Sequence, residues 1–185
     1  MHRFFFAIKD AFINSGSNSI TGENYTDKNT GQDEILELKK VFWNRDFHYP
    51  TRVLIQFDSD EIENFISSSN IGSTSYSASL RLYETKGTSG LSETYKIAAY
   101  PISQSWDEGI GKESDRPKTT EGASWKYRKN RDGASELSWQ TAGVKYIAGD
   151  EVTQSFSSES PDINMKSNIP CLTVRLMHLI IFRIA

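Results

Sequence analysis

One cysteine, three histidines and five prolines in 185 residues leave little from which to build redox, zinc or disulfide chemistry. Cys171 has no second thiol to pair with, so no intramolecular disulfide framework and no thiolate cluster can form. Beside Pro170 and among apolar neighbours, it reads as an inert buried thiol. His2, His48 and His178 are far apart, and none stands at the spacing that puts two imidazoles on one metal. No G-x-S-x-G elbow occurs, and GIGKE lacks the length and the Ser or Thr of a phosphate loop. Positive charge is also in short supply. Lys and Arg number 21 against 24 Asp and Glu, for a net charge of −3, and they form no stripe. Nucleic acid is therefore not an expected partner.

Long hydrophobic runs are missing as well. The opening MHRFFFAIKDAF is cut by Lys9 and Asp10 before it reaches the length of a secretory core, and LTVRLMHLIIFRIA is interrupted by Arg175, His178 and Arg183. The expectation is a soluble chain with no membrane insertion and no secretory signal of the usual kind. Acid pairs do occur, at Asp58 and Asp60, Glu61 and Glu63, and Asp107 and Glu108. Glycoside hydrolysis would need two carboxylates facing each other across a cleft, whereas neighbours in a polar loop are ordinarily solvated, capping or ion-paired. No catalytic residue is assigned, and the chain is expected not to be an enzyme.

What is present is aromatic volume and strand-like alternation. Hydrophobic residues make up 37% of the chain and Phe, Tyr and Trp 12%, so the aromatics must fill much of any core. FFFAIKDAFIN predicts a first strand that carries its aromatics into a core, and SGSNSITGENYTDKNTGQ, dense in Gly, Ser, Thr and Asn, predicts a long loop. DEILELKKVFW fits either a strand or a short helix. TRVLIQFDS, rich in β-branched residues, predicts a strand buried on at least one face. SDEIENFISSSN predicts a short helix capped by Ser59, with Ile62, Phe65 and Ile66 on one side. SASLRLYETKG places Leu80 and Leu82 on one face and Arg81 and Tyr83 on the other, and with ETYKIAAYPIS it reads as an antiparallel hairpin. SWKYR, SWQTAG and VTQSFSS supply further short β-like pieces. The sum is an all-β chain: a jelly-roll-like antiparallel β-sandwich with one short helix and long loops.

Between two tryptophans runs WDEGIGKESDRPKTTEGASW. Tyr100-Pro101 ends a strand where a ladder N–H is expendable. The glycines that follow Trp106 offer positive-φ geometry, and the carboxylates can take backbone amides or a cation. The most economical reading is a long, Trp-anchored connection that displays a surface, each Trp more often plugging a core edge than facing outward.

The order DAFINSGS, RVLIQFDS, SASLRLYE, YPISQSWDEGIG, GASWKYR and SWQTAG resembles the jelly-roll domains called DNRLRE, akin to carbohydrate-binding module family 96, over roughly residues 8 to 160. The matching features are Asp10-Ala11-Phe12, Arg52 to Asp58, Ser77 to Tyr83, Trp106 to Gly109, and Trp125 with Trp139. The YPISQSW variant is similar to structural proteins of tailed bacteriophages. That resemblance implies a virion component of the tail, baseplate, neck or capsid surface, assembled in the host cytoplasm. It further implies other virion proteins as partners in a homo-oligomer or hetero-assembly, with a host surface glycan as an additional ligand. The alternative is a carbohydrate-binding module of a polysaccharide-recognising protein.

Candidate glycan or partner contacts are Trp106, Asp107, Glu108, Asp115, Arg116, Trp125, Tyr127 and Trp139. The chain departs from the family after SPDINM, where KSNIPCLTVRLMHLIIFRIA replaces the usual closing strands. Residues 1–165 are therefore expected to form the sandwich, and 166–185 a divergent segment that is either a closing strand or a subunit-contact arm. Leu172, Val174, Leu176, Leu179, Ile181 and Phe182 are its candidate contacts. No cofactor is expected. Residues 15–33 and 107–115 carry the atoms a structural calcium would need, without a recognisable ligand spacing.

Overall fold

The computed structural model describes residues 2–17, 21–43, 46–70, 78–83, 94–131, 135–147, 152–157, 162–167 and 180–184. Among the described residues the chain is mostly strand, with one short helix and small antiparallel sheets. Its largest sheet has five strands, β1 (Ala7–Asn14), β4 (Thr51–Phe57), β6 (Thr94–Pro101), β9 (Val152–Ser157) and β11 (Ile180–Ile184), in the order β1-β4-β11-β6-β9. Three two-stranded pairs accompany it: β2 (Val41–Trp43) with β3 (Asp46–His48), β5 (Ala78–Tyr83) with β10 (Asp162–Ser167), and β7 (Tyr127–Lys129) with β8 (Leu137–Ser138).

Alternation along the strands divides apolar side chains between the two faces of the five-stranded sheet. Ala11, Ile13, Leu54, Ala98 and Tyr100 gather on one face, together with Ile102, Trp106, Ala123, Trp139 and Val144 from the irregular chain beyond β6. Phe12, Val53, Ile55, Ile97 and Ala99 gather on the other, against Leu36, Leu38, Leu80 and Leu82. A sheet covered on both faces needs near-continuous apolar runs, and VLI in β4 and IAAY in β6 supply them. Leu80 and Leu82 do share a face, as their spacing implies.

Three expectations are corrected. β1 begins at Ala7, and of the aromatics expected to enter a core with it Phe12 does so, whereas Phe4 and Phe6 stay exposed. β5 and β6 are not a hairpin: β5 pairs with β10, whereas β6 lies between β11 and β9. Alternation marks a strand but not its neighbour, and the turn between these two lies outside the described residues. The helix α1 (Ser59–Ser68) is capped by Asp58 instead of Ser59. Asp58 has extended backbone, and its Oδ1 accepts from the N–H groups of Asp60 at 2.9 Å and Glu61 at 3.2 Å. Ile181 and Phe182, expected as subunit contacts, lie in β11. Ile181 pairs with Leu54 on one side and Tyr100 on the other, so both hydrogen-bonding edges of β11 are occupied within this chain. β10 itself runs across the expected boundary at 165. Leu172, Val174, Leu176 and Leu179 lie outside the described residues.

Candidate functional site

The chain between Pro101 and Ile147 folds down onto one sheet face as a plug. Ile102 bridges to Tyr146, and the N–H of Ile147 donates to the carbonyl of Pro101 at 2.9 Å, which closes the neck of the excursion. Inside it the chain doubles back. The N–H of Asp107 donates to Arg128 O at 3.0 Å, and that of Ala123 to Asp107 O at 2.7 Å. Trp106, 1% exposed, drops its ring into the core cluster that also holds Trp139, and Tyr127 is buried as well. The indole N–H of Trp139 donates to Ser124 O at 2.7 Å. Trp106 Nε1 has no partner among the described residues.

The plug is fastened by Asn29, whose side chain is fully buried. Its Nδ2 donates to the carbonyls of Glu108 at 2.7 Å and Ala123 at 2.8 Å, and its Oδ1 accepts from the N–H groups of Gly111 at 2.8 Å and Gly31 at 3.2 Å. All four hydrogen-bonding positions of the amide are used. Such close approach of three backbone segments leaves no room for side chains. At Gly109, with φ +85°, a Cβ would overlap the carbonyl oxygen of Glu121, and at Gly122, with φ +115°, it would strike Gly109 itself.

Neighbouring side chains repeat the pattern. Thr30 Oγ1 accepts from the N–H of Phe12 at 3.1 Å and donates to its carbonyl, so one hydroxyl serves the edge of β1. Lys28, almost fully buried, donates to Glu113 O at 2.6 Å and lies over the Tyr25 ring at 5.3 Å.

The acids of this region serve the same end. Glu108 Oε1 accepts from the N–H of Asp10 at 2.9 Å. Asp33 Oδ2 accepts from the N–H of Glu113 at 2.8 Å, and Asp27 pairs with Lys118 at 2.5 Å. Asp115 Oδ2 takes the Lys112 N–H at 2.8 Å and the Thr119 hydroxyl at 2.7 Å, and these bonds hold its carboxyl below its ordinary value. Burial raises Asp10, with a further push from Glu108. Burial also raises Glu113, opposed by Lys28 and Lys39, and Asp33, opposed by its bond from Glu113. Asp33, Glu34, Glu37 and Glu113 line an open cleft of about 350 Å³ together with Phe12, Ile35, Lys112 and Ser114. Among the described residues no group of three or more His, Cys, Asp or Glu side chains is arranged to hold a metal ion.

The eight expected contact residues thus separate. Trp106, Tyr127 and Trp139 are core residues, and their burial takes the rings out of reach of a sugar or a partner. Trp125 is half-buried. Its ring packs over Gly143 and carries the Arg52 guanidinium at 4.8 Å. Arg52 in turn donates to the carbonyls of Gly143 and Val144, where Val144 holds a φ of +74° that a β-branched residue rarely adopts. Asp107, Glu108, Asp115 and Arg116 do lie at the surface of the plug. Asp107 is paired with Lys129 at 3.0 Å and Arg116 with Glu23 at 3.4 Å. Ile110, 63% exposed, stands beside them.

Sequence reasoning missed Asn29, Lys28 and Thr30. The signal available was Asn29 two residues ahead of Gly31, opposite the paired glycines of WDEGIG and EGASW. No family model, curated protein or solved structure matches the chain, so the resemblance rests on the order of its motifs alone.

Proposed function

We propose that the chain is a structural component of a tailed-bacteriophage virion, a jelly-roll-like β-sandwich acting through protein–protein contacts on the tail, baseplate, neck or capsid surface. The observation that carries this reading is the plug. The motif-bearing segment turns its rings inward and spends its acids on its own backbone, which leaves a fixed surface of Asp107, Asp115, Arg116 and Ile110 instead of an aromatic platform. A surface of mixed charge around an exposed aliphatic residue suits a protein neighbour. A sugar-stacking site needs an open aromatic face, and Trp125, the one candidate ring left half-exposed, already has Arg52 over it. The role places the chain in the particle, assembled in the host cytoplasm with other virion proteins.

Particles purified on a density gradient from cells expressing this gene in its own virus are the test. Peptides of the chain should be recovered at several copies per particle by quantitative mass spectrometry. Abundant chain in the infected lysate with none in the particles would sink the proposal. In that event a glycan array would follow, with Trp125→Ala as the control for the carbohydrate-binding alternative.

A further inference from the structure

Ahead of the sheet, HRFFFAIK alternates in a way the sandwich core does not use. Phe4, Phe6 and Ile8 are 71%, 81% and 52% exposed, apolar residues at every second position of the sequence, and the pairing of β1 with β4 shifts by one residue between Ala7 and Lys9. The stretch is held in place. Phe5 meets Phe65 of α1 edge-on at 5.7 Å, and Arg3 Nη2 pairs with Glu61 Oε1 at 2.6 Å. Pairing with β4 begins only at Ala7 opposite Phe57, beyond which that strand gives way to α1. Along the outer edge of β1, Glu108 closes the N–H of Asp10, and Thr30 closes that of Phe12. Among the described residues the backbone of residues 4–6 meets no hydrogen-bond partner. The edge is therefore sealed from Asp10 onward and open before it, where the exposed apolar side chains are.

We propose that residues 3–9 form a self-pairing arm, through which two copies of this chain join as antiparallel strands about a two-fold axis at Phe6. Its occupant is a second copy because the sequence is self-complementary in one register. With Phe6 opposite Phe6, Phe4 of each copy faces Ile8 of the other, so every apolar position meets an apolar one. A shift of two residues either way sets Ile8 against His2 or Phe4 against Asp10, and loses that match.

The same register brings the His2 imidazole opposite the Asp10 carboxylate, with Glu108 adjacent. Arg3 opposite Lys9 is the adverse pair. It is tempered because Arg3 is neutralised by Glu61 and Lys9 Nζ reaches the carbonyl of Trp106 at 3.5 Å. Edge pairing of this kind removes open N–H and C=O groups and three exposed side chains from water at once. The interface is small, and a weak, micromolar dimer is expected. This inference goes beyond the virion reading and stands or falls separately from it.

The test is sedimentation of the full chain over about a hundredfold range of concentration reaching ~100 µM. The average mass should rise toward twice the 21.0 kDa of one chain. Phe6→Asp should abolish the rise, and Ile35→Ser, at another exposed aliphatic residue, should leave it intact. In a Cys171→Ser background, Phe6→Cys should form a disulfide-linked dimer about tenfold faster than Phe4→Cys, since only position 6 meets itself across the axis. A mass that stays at one chain throughout, a dimer indifferent to Phe6→Asp, or equal crosslinking at positions 4 and 6 would each overturn the proposal.

Discussion

The two faces of the five-stranded sheet are covered by opposite means. One is covered in part by the ribbon of β5 and β10, where Leu80 and Leu82 reach the sheet from strands whose backbone is satisfied by regular pairing. The other is covered by irregular chain, which brings Trp106, Trp139 and Val144 to the core but carries unpaired backbone groups down with them. Those groups need individual partners, because a buried amide without one costs about 1–3 kcal/mol. Asn29 provides four bonds at once, and Thr30, Glu108 and Asp33 add more. A loop can serve as a core layer, then, only when polar side chains do for it what a ladder does for a strand.

The contrast is broken or sharpened by substitution, beginning on the loop face. Asn29→Ala leaves two carbonyls and two N–H groups buried without their partner, and should lower unfolding stability by roughly 3–5 kcal/mol in urea titrations. Leu82→Ala on the ribbon face removes only partly buried methyls, and should cost about 1–2 kcal/mol in the same assay. Equal losses would mean that the plug has no special dependence on its polar anchor.

The smallest expected effect lies where loop and sheet edge meet. Burial and then Glu108 raise the Asp10 carboxyl above its ordinary value, so its ionised form opposes folding above that raised value, and the opposition fades as pH falls through it. Asp10→Asn should therefore stabilise the chain at pH 7 by roughly 0.5 kcal/mol, a screened interaction at a half-exposed site. The gain should shrink as the pH is lowered toward 4. Thermal midpoints of both forms at several pH values would check this, and a gain that grows with acid would reverse the assignment.

How legible this was in the sequence depended on range. β4 could be read from VLIQF and the shared face of Leu80 and Leu82 from their spacing, because alternation is local. The partners of β5 and β6 could not, since pairing across the sheet leaves no mark on either strand. For Ile181 and Phe182 the sequence left a closing strand and a contact arm as alternatives, because an apolar run reads alike whether it meets a neighbouring molecule or its own sheet. At the plug, the tryptophans and glycines announced a tight loop, but the residue that ties it, Asn29, lay in a polar stretch resembling any solvated connection. Asp58 and Ser59 are adjacent cap formers, and only backbone geometry chose between them.

The position of β11 has a consequence in time. Because Ile180–Ile184 lies between β4 and β6, those two strands cannot be joined in the sheet until residues 180–184 have left the ribosome. Until then, two strands carrying Leu54, Ile55, Ala98 and Ala99 hold open edges side by side, inviting pairing with a neighbour's strand. Sheet closure is thus a late event that spans more than a hundred residues of sequence, and such long-range pairing is slow. Synthesis on crowded polysomes should be the interval in which this chain is most exposed to aggregation, and shortening it before residue 180 should leave it in that condition.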